Sequence, residues 1–355
     1  MDYIMRYRQY PGSRDIQQNS PLTSVEGLPE QLLAYYDIKP RSFKRRDNYW
    51  LIDSDREKYI IVEDSGEIGL LPVALGWQNH LFSSGCRQVL QIKKAKTGKE
   101  LLELEDRVFH TAVWTQASSS LETGVYEGQK TAHLFAVVTA LAKLHGYNNG
   151  YLPAVAREIS IFWPRIIQER LTELITCKHI FKENKARTDF EKIFLESFDF
   201  FYDQGQESLQ NMVLAGYGSN PQLQDTMLIN SFMAKDIFLD NEEVLFLNLS
   251  KWGFGPGVMD ISLFLNSYMP LHKWDMKLLR ELIEQYIKHK TLAIEERHLL
   301  LAQLRFPSRY WLYVYQYCND QEKAPVLAEK LKSYLQECYW RDLCLDNIEG
   351  WLRKE

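Results

Sequence analysis

The sequence predicts an α+β chain built as two lobes, a small strand-rich lobe followed by a larger helical one. Three observations carry this prediction. Short apolar runs separated by polar turns fill residues 41–114. Apolar residues at helical spacing dominate after Ser118, Ser119 and Ser120. At 355 residues the chain is too long for one small domain and suits one large domain or two lobes. The expected boundaries are a polar arm over residues 1–28, a small lobe over 29–115 and a helical lobe over 116–355.

Each element follows from local pattern. Residues 1–28 carry Gly, Pro and Ser without a sustained period and are expected to form a tail or loosely docked arm. Residues 28–36 (LPEQLLAYY) predict a short helix with Pro29 near its first turn, where a missing N–H costs little. Residues 48–53 (NYWLID) and 58–63 (KYIIVE) flank the charged turn SDRE and predict an antiparallel hairpin. A helix over 72–82 stopped by Gly85, a strand over 89–95, a turn at Thr97-Gly98-Lys99 and a strand pair up to Val113 complete the lobe. Residues 129–145 space Ala132, Phe135, Val138, Leu141, Ala142 and Leu144 at nearly 3.6 and end at Gly146, predicting a helix. Residues 159–175 and 190–202 predict further amphipathic helices, and 227–249 a strand-rich interlude. Helices over 274–288, 294–317 and 322–341 finish the chain, with Pro307 expected to kink or restart the second.

Composition excludes several functions. Hydrophobic residues at 45% and charged residues at 25% are ordinary for a soluble globular protein. A net charge of −5 gives no basic footprint, so no nucleic acid partner is expected. The most apolar stretches, residues 68–77 and 134–142, are about half of the ~20 residues a membrane helix needs, so no membrane insertion is expected either. The opening MDYIMRYRQY has no signal-peptide character, which implies synthesis in a cytosol. Five cysteines without a CxxC pair are expected to be reduced thiols rather than a zinc site or a disulfide framework. The 20 Tyr, 17 Phe and 9 Trp suggest many rings on partly exposed surfaces or in a pocket.

Chemistry concentrates in residues 229–265, INSFMAKDIFLDNEEVLFLNLSKWGFGPGVMDISLFL. Two short apolar runs flank the turn Asn241-Glu242-Glu243, a Gly-rich bend covers 253–257, and Asp260 opens an apolar helix. The segment resembles the catalytic segment of the aminoglycoside phosphotransferase and choline kinase family, H-x-D-x-x-x-x-N, a hairpin, I-D-W and then G-x-x-x-x-D-L-A. The resemblance implies a bilobal protein-kinase-like fold. Asp260 matches the Asp of the closing helix. Asn248 stands where the family has its metal-binding Asp, Asp236 where it has its metal-binding Asn, Ser231 at the catalytic Asp and Ile229 at the His.

These departures matter physically. Phosphoryl transfer is catalysed by positioning and charge neutralisation, with a carboxylate and an Asn on Mg²⁺ and an Asp orienting the attacking hydroxyl. Ser231 is no general base at neutral pH, and Asn248 removes one ligand charge. Asp236 is the one weak metal candidate, through an exchange of Asn and Asp between two positions. The small lobe shows matching losses. The stretch SFKRRDNYWLID has no glycine to let phosphates approach the backbone, and the family's lysine position falls on Val62 or Glu63, with Lys58 about four residues away. Trp114 lies where the connecting segment between lobes is expected, either bordering a nucleotide base or packing between lobes. His145 reads as structural, at a helix C-terminus that favours its cationic form.

Residues 299–320, LLLAQLRFPSRYWLYVYQYCND, resemble a segment of the CotS-type spore coat proteins of Bacillus-like endospore formers. Phe306, Pro307, Tyr310, Trp311, Tyr315 and Tyr317 carry that likeness, which extends over about residues 30–345. The missing catalytic residues point to a YutH- or YsxE-like member. The aromatics of this element are too dense for one buried stripe, so they either cover the back of the helical lobe or offer an adhesive surface. The resemblance implies a pseudokinase without cofactor, made in the mother-cell cytoplasm and deposited in the spore coat among other coat proteins. The alternatives are an atypical Mg-ATP-dependent phosphotransferase using Asp236 with Asp240 or Asp225, and a nucleotide-binding scaffold.

Overall fold

Trp50, Ile52, Tyr59, Ile61 and Phe109 alternate along three neighbouring strands, and this period of two gives the first sheet a face to bury. A computed structural model describes residues 25–46, 48–64, 71–114, 119–120, 130–147, 160–220, 226–232, 237–240, 243–247 and 252–352. Most of the expected N-terminal arm lies outside them. The chain forms two compact units, Met1–Ala136 with Met233–Trp252, and Val137–Phe232 with Gly253–Glu355.

In the first unit, β1 (Pro40–Arg46), β2 (Tyr49–Ser54), β3 (Lys58–Asp64), β4 (Gln91–Ile92), β5 (Leu101–Leu104) and β6 (Arg107–Trp114) form one antiparallel sheet. Its order is β1-β2-β3-β6-β4, with β5 also on β6. The NYWLID/KYIIVE hairpin is present, with Leu51 opposite Ile60 and Ile52 opposite Tyr59. Helix α1 (Glu30–Tyr36) adds Leu32, Leu33 and Tyr36 to the buried face. Trp50 also donates from Nε1 to the Glu26 carbonyl at 3.0 Å, which ties the entering chain to the sheet. Helix α2 (Leu71–Ser83) ends before Gly85, whose φ of +93° suits glycine. The strand expected over 89–95 shrinks to Gln91–Ile92, because the backbone of Ala95 turns instead to bond Lys99 and Gly98. A second sheet joins β7 (Ser119–Ser120), β9 (Ile237–Asp240) and β10 (Glu243–Phe246) in the order β10-β9-β7.

The second unit is helical. It holds the end of α3 (Lys130–Gly146), then α4 (Trp163–Glu183), α5 (Asp189–Leu214), α6 (Val258–Tyr268), α7 (Met276–His289), α8 (Ile294–Arg305), α9 (Ser308–Asn319) and α10 (Ala324–Leu352). One small ribbon pairs β8 (Thr226–Leu228) with β11 (Gly253–Gly255). Helix α5 starts at a capping box, in which Thr188 Oγ1 accepts from the Glu191 N–H and Glu191 accepts from the Thr188 N–H. The helix expected over 294–317 is divided at Phe306-Pro307 into α8 and α9, as the proline demands.

Of the two placements expected for the aromatics of residues 306–317, the structure shows packing within the helical unit. Phe306, Tyr310, Trp311, Tyr313 and Tyr317 are all buried, and Tyr315 is half-buried. Helix α9 is enclosed on more than one side. Tyr317 stacks on Phe190 at 4.4 Å and Tyr310 lies 4.3 Å from Phe201, both on α5. Trp311 donates to Glu173 of α4 at 2.6 Å, and Arg309 bonds Glu337 of α10. Polar tips thus find partners inside, which lets a dense run of rings fill an interior. An adhesive surface made of this element is excluded.

Candidate functional site

The loop that carries Ser231 is built by β8. Pairing of Thr226, Met227 and Leu228 with Gly255, Phe254 and Gly253 delivers the chain to Ile229. Gly255 keeps this pairing close, since a Cβ on it would stand 2.8 Å from Leu228 Cδ1 and push that side chain aside. Asn230 then takes a left-handed φ of +53°, which Asn tolerates better than most residues, and Ser231 follows half-buried.

Asp260, in the first turn of α6, fixes this loop. Its Oδ2 accepts the Ile229 N–H at 2.7 Å and its Oδ1 the Asn230 N–H at 2.8 Å. His145, at the end of α3, lies with Nε2 3.2 Å from the same Oδ2 and Nδ1 2.7 Å from the Tyr286 hydroxyl of α7. The side chains of His145 and Asp260 are fully buried. Burial holds His145 below its ordinary pKa, against the opposing bond and charge of Asp260, and burial pushes Tyr286 well above its own. The imidazole is therefore neutral, donating from Nε2 to Asp260 and accepting at Nδ1 from the Tyr286 hydroxyl. This corrects the expected cation: desolvation outweighs the helix dipole. A structural role remains, and it is to hold Asp260. At the far end of the loop, the Tyr268 hydroxyl donates to the Phe232 carbonyl at 3.3 Å.

Gly257 packs closely against this cluster. A Cβ at Gly257 would meet Lys290 Nζ at 2.9 Å and His145 Nδ1 at 3.2 Å. Lys290 in turn faces Glu296 at 3.7 Å. Asp260 and His145 were visible in the sequence. Tyr286 was not, because nothing local marks a hydroxyl that meets a ring 141 residues away.

Trp114 and the lysine positions belong to the first unit. Trp114 ends β6, half-buried, with its ring edge-on to Phe238 at 6.1 Å, and Phe238 is edge-on to Tyr49 at 6.0 Å. Asp236, Asn248 and Asp225 lie outside the described residues. Of the lysine positions, Val62 is buried, and Glu63 pairs with Arg107 through Oε1 at 3.0 Å. Lys58 is exposed at the start of β3, opposite Asp53 and Trp114. Sequence reasoning also missed the buried contact between His110 Nδ1 and Asp64 Oδ2 at 2.6 Å, formed across β3 and β6. Among the described residues no three His, Cys, Asp or Glu side chains gather as a metal ion would require.

Comparison with known proteins gives the frame for these positions. The family model described as "Spore coat putative kinase YutH" matches residues 29–347. No curated protein matches the sequence significantly. Among solved structures, an aminoglycoside phosphotransferase from Alicyclobacillus acidocaldarius is similar with a TM-score of 0.77 at 13% identity, covering 94% of this chain and 98% of that one. An amicoumacin kinase in complex with AMP-PNP and Ca²⁺ gives a TM-score of 0.59 at 13% identity, over 90% and 92% of the two chains. An AMP-bound spectinomycin phosphotransferase gives 0.58 at 12%, over 85% and 93%. At such identities the likeness establishes the fold alone, and the fold is the α+β, aminoglycoside phosphotransferase-like one that the sequence predicts.

Proposed function

The chain belongs to the YutH family of spore coat proteins with a kinase-like fold, and from that premise we propose that it is a non-catalytic component of the endospore coat. It would be made in the mother cell and assembled with other coat proteins. One observation carries the non-catalytic part of this reading. Asp260 and His145 hold the loop at 229–232 in place, yet the position that this loop presents as the family's catalytic acid is Ser231. The positioning device remains while the group it positions has changed.

Mg-ATP, which the fold family implies, is poorly matched by the described residues. Val62 is apolar and buried, Glu63 brings a negative charge where phosphates need a positive one, and Ser231 has no carboxylate. Family membership supports the coat as the destination. Among the described residues no helix is long and apolar enough to cross a membrane.

Thermal unfolding with and without Mg-ATP tests the first part. A nucleotide at 100 times its Kd stabilises a fold by about 2.7 kcal/mol, so binding would be plain. The expected result is no shift. A shift lost in Asp236→Ala would instead establish a metal–nucleotide site and make the chain an atypical phosphotransferase; a shift that survives Asp236→Ala would make it a nucleotide-binding scaffold. For the second part, a tagged chain is followed through sporulation. It is expected in coat extracts, and its absence from them at every stage would overturn the assignment.

A further inference from the structure

Helices α4 and α9 bring two cysteines together that are 141 residues apart in sequence. Cys177 Sγ and Cys318 Sγ lie 3.3 Å from each other. Cys177 is buried and Cys318 is exposed. The two helices are fixed on either side of the pair. Trp311 donates to Glu173 one turn before Cys177, and Phe181 meets Tyr317 edge-on at 5.4 Å one turn after it. The sulfurs need approach by only about 1.3 Å to reach the ~2.05 Å of a disulfide, which small side-chain rotations supply.

We propose that Cys177 and Cys318 form a reversible redox pair, in which hydrogen peroxide oxidises exposed Cys318 and Cys177 resolves it to a disulfide that staples α4 to α9. Either thiol can donate across this contact, so the two sulfurs can share one proton, and as the acceptor Cys318 lies below its ordinary pKa. The exposed sulfur is the one a peroxide reaches first, and the buried one stands beside it to resolve the product. The Cys318 thiolate attacks one peroxide oxygen. An S–O bond forms, the O–O bond breaks, and the leaving hydroxide takes a proton to become water. Cys177 then loses its proton and attacks the sulfenic sulfur. An S–S bond forms, the S–O bond breaks, and a second water leaves. Two electrons and two protons pass from the thiols to the peroxide. Cys86, Cys338 and Cys344 are buried, each with its thiol pushed up to about 11, and stay out of this chemistry.

The test treats the full chain with stoichiometric hydrogen peroxide, alkylates the remaining thiols and maps peptides without reduction. The expected result is one intramolecular Cys177–Cys318 link and three alkylated cysteines. Melting should rise by about 5–10 °C and return with dithiothreitol, because the link closes a long loop. Cys318→Ser, at an exposed position, should abolish both effects. Cys177→Ser should accumulate a sulfenic acid on Cys318 that dimedone traps. A disulfide between Cys318 of two chains, or wild-type Cys318 driven to sulfinic acid while Cys177 remains alkylable, would overturn the proposal.

Discussion

Asp260 concentrates several constraints in one side chain. Its two oxygens, on a fully buried side chain, satisfy two consecutive backbone N–H groups and one imidazole N–H. Asp260→Ala leaves those donors without partners, and each such orphan costs about 1–3 kcal/mol. The expected loss is about 3–5 kcal/mol by urea unfolding. Asp260→Asn should lose nearly as much, since its NH₂ would face a donor. His145 gives a second outcome through pH. Burial keeps it neutral in the folded chain, whereas unfolded His titrates near 6.5. The unfolded state therefore binds a proton that the folded state refuses. His145's contribution is complete above about pH 6.5 and is lost as pH falls below it. A series of unfolding curves between about pH 7.5 and 5 should slope down toward acid, and His145→Gln should flatten that slope.

At the scale of elements, glycine and proline separate what was legible from what was not. Pro307 was readable because its ring removes an N–H wherever it stands, and the chain does break there. The strand hairpin was readable because two short apolar runs flank a charged turn within one local stretch. Helix α5 was expected over residues 190–202 but runs to Leu214, past Gly205 and a polar run. Gly205 serves another purpose: a Cβ there would stand 2.6 Å from Leu171 Cδ2 of α4, so the glycine lets two helices approach. No local pattern distinguishes a packing glycine from a stop. Gly→Ala inside a helix ordinarily gains about 1 kcal/mol. Here Gly205→Ala should instead lose about 1–3 kcal/mol to overpacking, because Leu171 is fully buried. A double-mutant cycle with Leu171→Ala should recover most of that loss, and simple additivity would refute the steric account. The C-terminal helix, expected over residues 322–341, also runs on to Leu352, and it buries Cys344, Leu345, Ile348 and Leu352 there.

For the whole molecule, the positions that would make a phosphate site are scattered from Val62 to Asn248, and their departures from the family pattern are independent of one another. Those positions were legible only through family spacing; the residues that anchor the loop, above all Tyr286, became visible only once the chain was folded. Independence gives a sharp expectation for restoring one part. A general base contributes about 10²–10⁴-fold, but only when the nucleotide is already held and its charge neutralised. Ser231→Asp places a carboxylate on a loop that Asp260 already orients, so it is the most favourable single restoration available. Because Ser231 is half-buried and sits outside the Asp260 bonds, stability should change by no more than about 0.5 kcal/mol. Turnover of Mg-ATP by the purified variant should nevertheless stay at the background of buffer alone, since Val62 and Glu63 put no cation at the family's lysine position. Activity rising with that one substitution would mean that nucleotide binding survives in the native chain, and the reading as a non-catalytic coat component would give way to a kinase lacking only its base.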